Sequence, residues 1–131
     1  MKLTGFILEH DEYAVDGFYF EEMSGGNIID AELLSKIINY LENGRFIYGW
    51  MNYERDWLSK ESLCPNSYYT DGVWFWPGYY TEYLKKYPGM RIRKSFVDHM
   101  AANDFINNGK GLSKAIINKF EQDLTDKLKP R

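Results

Sequence analysis

The sequence predicts an α+β domain in which an antiparallel sheet of about three to five strands packs against about four helices. Three observations carry this. Strand-forming residues concentrate early and in the middle of the chain, apolar residues at helical spacing fall between and after them, and the regular strand–helix alternation of a parallel α/β fold is absent. The 131 residues contain no internal repeat, low-complexity tract or composition break, so residues 1–131 read as a single domain. A chain of this length buries about two thirds of the surface that its unfolded form exposes.

Residues 3–23 read as extended, with strand segments at 6–8, 13–15 and 18–20 and turn chemistry at His10-Asp11 and Asp16-Gly17. An Asp-Gly pair between aromatic and β-branched residues is a hairpin signal. Gly25-Gly26-Asn27 ends this region. Asp30 then caps a helix whose Leu33, Leu34, Ile37, Ile38 and Leu41 recur on one face, and Gly44 stands where a left-handed residue closes a helix. Residues 45–53 and 69–76 read as two strands paired antiparallel, with an irregular stretch around Cys64-Pro65-Asn66 between them. In the second, residues 71–76, Trp74 and Trp76 share one face and Val73 and Phe75 the other, which predicts a central strand with both faces covered. Pro77 starts a helix that buries Tyr79, Tyr80, Tyr83, Leu84 and Tyr87, turns Thr81, Glu82, Lys85 and Lys86 outward, and stops at Pro88-Gly89. Ser95 with Asp98 forms a capping-box pattern for a helix carrying Phe96, Val97, Met100 and Ala101, ended by Asn107-Asn108-Gly109. Ser113 caps the last helix, Leu112 is placed to staple Ile117, and Ile116, Phe120, Leu124 and Leu128 continue its apolar stripe.

Charge is unevenly spread. The net charge is −3, but residues 1–44 carry nine acids against two bases, and the remainder carries fourteen bases against ten acids. The acids Glu9, Asp11, Glu12, Asp16, Glu21 and Glu22 lie in a region with few helix signals, where they offer a landing face for a basic partner, solvate exposed strands, or pair with Lys85, Lys86, Arg91, Arg93 and Lys94 in the same molecule. One cysteine, Cys64, forms no internal disulfide, and no segment reaches the roughly twenty apolar residues of a membrane span. The expectation is a cytoplasmic protein with no membrane partner.

Few residues offer catalysis. Cys64 precedes Pro65 and lacks a recognisable Cys–His setting with His10 or His99. Glu9, His10, Asp11 and Glu12 are adjacent rather than spaced as metal ligands, because neighbours on a strand point to opposite faces. His99 reads as a half-buried structural histidine. Nothing in the spacing selects a carboxylate pair from the nineteen acids. Phosphate loops and dinucleotide fingerprints are absent, and an acidic chain gains little from phosphate contacts, so the expected partners include no nucleic acid. No catalytic residue, metal ligand or cofactor is assigned.

The remaining signal is aromatic. Residues 68–87 hold nine aromatic side chains in twenty positions. Phenol and indole groups suit half-wet interfaces as well as cores, so Tyr68, Tyr69, Trp74 and Trp76 join the six N-terminal acids as expected partner-binding residues. Gly49-Trp50-Met51-Asn52-Tyr53, Asp71-Gly72-Val73-Trp74-Phe75-Trp76-Pro77, Tyr83-Leu84 and Phe96-Val97-Asp98-His99-Met100 together resemble small Trp- and Tyr-rich bacterial proteins, some of them regarded as immunity proteins of toxin systems. The resemblance spans residues 49–100 and assigns no catalytic residue. It implies a non-enzymatic binding protein that neutralises a toxin domain, and the acidic N-terminal third is a sensible face toward a basic toxin. The alternative is a small enzyme or carbohydrate-binding domain that uses the aromatic segment as a platform.

Overall fold

The computed structural model describes residues 1–26 and 29–130. Asn27, placed by its sequence in the break before the first long helix, lies outside them. The chain runs β1 (Lys2–Leu3), α1 (Phe20–Met23), α2 (Ala31–Glu42), β2 (Arg45–Tyr48), β3 (Tyr53–Arg55), β4 (Ser62–Pro65), β5 (Tyr68–Thr70), β6 (Trp74–Pro77), α3 (Gly78–Lys86), α4 (Lys94–Ala102) and α5 (Lys114–Leu128), with a 3-10 turn at Gly109–Gly111. The fold is α+β. A four-stranded sheet has the order β1-β6-β5-β2, and β3 pairs with β4 in a separate ribbon. The β2–β5, β5–β6 and β3–β4 pairs are antiparallel, only the first joining the two segments expected to pair, whereas β1 lies parallel to β6 with Leu3 opposite Phe75.

Alternation across β6 organises the core. Trp74 and Trp76 face Ile37, Tyr40, Phe96 and Met100 of α2 and α4, and Phe75 on the opposite face joins Leu3, Phe6, Ile47, Ile117 and Leu124. The rings of Trp74 and Trp76 stand 5.3 and 5.9 Å from Phe96, and Phe75 meets Phe120 edge-on at 4.9 Å. With β1 and β5 on its two edges and helices over its two faces, β6 is buried at all four positions.

The strand predicted over residues 69–76 is two strands. Asp71-Gly72-Val73 is a turn in which Asp71 Oδ1 accepts hydrogen bonds from the backbones of Val73 (2.8 Å) and Trp74 (2.7 Å), while Gly72 takes φ +103°. β2 therefore pairs with β5 rather than with β6, and Val73 is exposed. This Asp-Gly pair, not Asp16-Gly17, makes the hairpin. Residues 6–20 form turns and a single parallel bridge between Ile7 and Phe18, and antiparallel hairpin geometry cannot join parallel segments. The segment instead lies on the helical layer, where Gly5, at φ +75°, passes so close to Tyr80 that a Cβ would stand 2.2 Å from its ring.

Helix boundaries follow the sequence with local exceptions. Asp30 and Ser113 cap α2 and α5 through their side chains. Gly44 is not left-handed: a Cβ there would lie 2.5 Å from Trp76 Cζ2, so packing rather than φ requires glycine. Cys64 and Pro65 belong to strand β4, not to an irregular stretch. α4 begins two residues earlier than a Ser95 cap allows, with Arg93 as its N-cap, and Asp98 pairs with Lys94 instead. Thr81 is buried against the β4 side of α3 rather than turned outward, and Ile116 is 42% exposed because the stripe of α5 runs through Ile117.

Candidate functional site

Tyrosine hydroxyls on α3 and β5 hold the N-terminal segment to the core. Asp11 accepts from Tyr68 at 2.6 Å and from Tyr79 at 2.7 Å, and Tyr79 Oη also accepts the Ile7 amide at 2.9 Å. His10 Nδ1 meets Glu54 Oε2 at 3.0 Å, its Nε2 meets Tyr83 Oη at 2.7 Å, and Asn66 donates to Glu54 Oε1 at 2.8 Å. In the neutral tautomer that satisfies both contacts, His10 donates to Glu54 and accepts from Tyr83. Burial pushes the Asp11 carboxyl above its ordinary value despite the two tyrosine hydrogen bonds. Burial pushes Glu54 up as well, but hydrogen bonds from His10 and Asn66 outweigh it and leave that carboxyl below its ordinary value.

The same hydroxyls position the turn between β3 and β4. Tyr83 Oη accepts the Trp57 amide at 2.9 Å. Asp56, fully buried, accepts the Leu58 and Ser59 amides at 2.8 and 2.9 Å through Oδ1, and Tyr87 Oη (2.9 Å) and Lys86 Nζ (3.1 Å) through Oδ2. Pinned from inside, the turn presents Trp57 (44% exposed) and Leu58 (65%) to solvent. Lys60 Nζ caps one face of the Trp57 ring at 3.8 Å.

Across from this turn stands α1. Tyr19 at its N-cap is 58% exposed, Glu21 and Glu22 occupy its first turn, and Glu9 accepts the Phe20 amide at 2.8 Å. Between α1 and the turn lies a groove of about 590 Å3 walled by Tyr19, Trp57 and Leu58 and rimmed by Glu9, Glu21 and Glu22, with no lysine or arginine among the described residues that line it.

Of the sequence-predicted residues, Glu9, Glu21 and Glu22 therefore converge on one groove, and Glu12 and Asp16 are exposed elsewhere. Asp11 belongs to the internal network. Trp76, Tyr68 and Trp74, at 0, 2 and 6% exposure, are core residues and not partner-binding ones, because β5 and β6 are the two inner strands; Tyr69 is half-buried. Among the described residues, none of Glu9, Asp11, Glu12, Asp16, Glu21 and Glu22 pairs with Lys85, Lys86, Arg91, Arg93 or Lys94 through its carboxylate. Lys85 pairs with Glu42 and Glu82, Lys86 with Asp56 and Glu61, and Lys94 with Asp98. Arg93 Nη2 donates to the Asp16 backbone carbonyl at 2.6 Å, and both Arg91 and Arg93 lie over the Phe18 ring.

Tyr19, Trp57 and Leu58 were not among the residues read as binding. A Trp-Leu pair between Arg55 and Lys60 was the available sign, since apolar side chains in so polar a stretch have no core to reach. Cys64 is half-buried and its thiol is pushed up to about 12 by burial and then by Glu82 and Glu54, the opposite of an activated nucleophile. His10 and His99 are hydrogen-bonded to Glu54 and Asp71. No helix among the described residues is long and apolar enough to cross a membrane. Comparison with protein-family models, curated proteins and solved structures gave no match.

Proposed function

We propose that the chain is a non-enzymatic binding protein whose partner is a basic protein domain, and that it engages this partner through the groove between α1 and the β3–β4 turn. One observation carries the reading: Glu9, Glu21 and Glu22 rim an apolar groove and none of them is neutralised by a lysine or arginine among the described residues, whereas the basic residues from Lys85 to Lys94 are engaged elsewhere. Exposed Tyr, Trp and Leu side chains in a preformed groove supply contact energy, and uncompensated carboxylates at its rim accelerate encounter with a positive surface. The resemblance to immunity proteins favours a toxin domain as the partner and the cytoplasm as the place of action.

The test is co-expression with the product of the neighbouring gene, followed by binding kinetics on the purified pair. Neutralisation of a toxic product and a stoichiometric complex support the reading. Glu21→Lys is the informative variant, because the Glu21 side chain bonds to nothing else among the described residues and its reversal leaves the fold intact. It should slow association at low salt and flatten the salt dependence. Trp57→Ala should raise the dissociation rate instead. A partner that binds both variants with wild-type rates would rule out this groove.

A further inference from the structure

Away from that groove, Trp50 stands on the loop between β2 and β3 with 61% of its surface exposed. An indole so exposed is usually mobile, but this one is fixed at its base. The Trp50 amide donates to Asn66 Oδ1 at 2.8 Å, the Asn66 amide donates to the Asn52 carbonyl at 2.9 Å, and Gly49 approaches Asn66 so closely that a Cβ would lie 2.1 Å from its carbonyl oxygen. Asn66 is itself 8% exposed and hydrogen-bonded to Glu54. The ring is thus held on a buried polar residue and displayed to solvent.

Three hollows meet on this ring. One of about 300 Å3 brings together Asp11, Asn52, Glu54 and Asn66, and another of about 370 Å3 lies against Gln122 and Thr125 of α5. The third, of about 480 Å3, continues past Phe46 and Tyr69 toward α2, α3 and β4. Polar groups make up most of the first lining and about half of the second. Asp11 accepts from Tyr68 and Tyr79, and Glu54 accepts from His10, Asn66 and Asn52, which leaves lone pairs on both carboxylates for further donors. Among the described residues only Lys129 brings a lysine or arginine into these linings, and its ammonium is taken by Asp126 at 2.9 Å.

That lining discriminates between ligand classes. Phosphate-bearing ligands meet carboxylates and no free cation. A purely apolar ligand would bury the remaining lone pairs of these carboxylates without a donor, which costs affinity. A pyranose ring satisfies both features, since its C–H face stacks on an indole and its hydroxyls each donate and accept, as planar amides and carboxylates require. Sugar acids are repelled by Asp11 and Glu54. We infer that Trp50 and the polar hollows beside it form a binding site for a neutral saccharide, with one sugar ring stacked on the indole and its hydroxyls directed to Asn52, Glu54 and Gln122.

The site is independent of the α1 groove, and its test is separate. Isothermal titration of the full chain with neutral gluco-, manno- and galacto-oligosaccharides, with oligogalacturonate and with arginine amide sorts the possibilities. At least one neutral oligosaccharide should bind, Trp50→Ala should weaken it by about tenfold or more, and Glu21→Lys should leave it unchanged. Asn52→Ala with Gln122→Ala supplies a second variant at surface positions, and matching urea midpoints establish that all variants are folded. Failure of every neutral saccharide to bind, binding indifferent to Trp50→Ala, or binding of arginine amide alone would each overturn the inference, the last in favour of a cation site.

Discussion

Asp71 ties three elements together, and its removal is the sharpest probe of the core. Its Oδ1 shapes the β5–β6 turn by accepting the Val73 and Trp74 amides, and its Oδ2 accepts from Tyr40 Oη on α2 and meets His99 Nε2 on α4 at 2.9 Å. The carboxylate is 2% exposed and Tyr40 is equally buried, so water cannot take over these bonds. Burial first, and then the hydrogen bond to Asp71, push the Tyr40 hydroxyl far above its ordinary value, so it remains a donor throughout the useful pH range. Asp71→Ala strands a buried hydroxyl and a buried backbone amide. At roughly 1–3 kcal/mol for each unsatisfied group, with some relief from relaxation, the expected loss is on the order of 3–4 kcal/mol. For a chain of this size that corresponds to a fall in Tm of about 10–15 °C. Urea unfolding followed by tryptophan fluorescence measures it, since Trp74 and Trp76 lie in the affected layer. Tyr40→Phe should cost less, about 1–2 kcal/mol, and the double variant should lose less than the sum of the two singles because they share one bond. A loss below about 1 kcal/mol for Asp71→Ala, or strict additivity with Tyr40→Phe, would refute the assignment of Asp71 as a buried organiser.

Three further outcomes follow from the core and the turn. Ile37 is fully buried on α2, and Ile37→Ala should cost on the order of 2–4 kcal/mol through lost transfer energy and a residual cavity, read as a shifted urea midpoint. Gly44→Ala places a methyl group 2.5 Å from the Trp76 ring and should destabilise by about 1–3 kcal/mol, with altered Trp76 fluorescence as the accompanying signature. Burial raises the Asp56 carboxyl but hydrogen bonds from Ser59, Lys86, Tyr87 and Leu58 outweigh it, so its folded value lies below the ordinary 3.8. A lowered carboxylate contributes stability that is fully present above the unfolded value and lost as pH falls through the folded one. The stability gap between the wild type and Asp56→Asn should therefore be constant near neutral pH and shrink only below about pH 4; a gap that persists unchanged into strong acid would contradict it.

The periodicities and caps of the sequence determined α2, α3 and α5, because those helices bury one continuous stripe against a neighbour and local pattern is enough to mark such a stripe. Asp30 and Ser113 act at the ends where their side chains allow it. Alternation also determined that Trp74 and Trp76 oppose Phe75, and that this strand is enclosed on both faces. Strand pairing was a different matter. Whether Asp16-Gly17 or Asp71-Gly72 closes a hairpin depends on what the flanking segments meet, and β1 inserted parallel to β6 from some seventy residues away. Such long-range pairing leaves no local trace. The candidate groove was half legible for the same reason. Charge counting marked Glu9, Glu21 and Glu22, yet only the fold separates them from Asp11, which turns inward to Tyr68 and Tyr79. Aromatic density marked Tyr68, Trp74 and Trp76, which the two inner strands consume as core. The exposed rings at Tyr19, Trp50 and Trp57 occupy their places because half-buried hydrogen bonds to Glu9, Asn66, Tyr83 and Asp56 fix the backbone beneath or beside them. Exposure is a property of the whole surface left after packing, and the identity of a residue does not contain it.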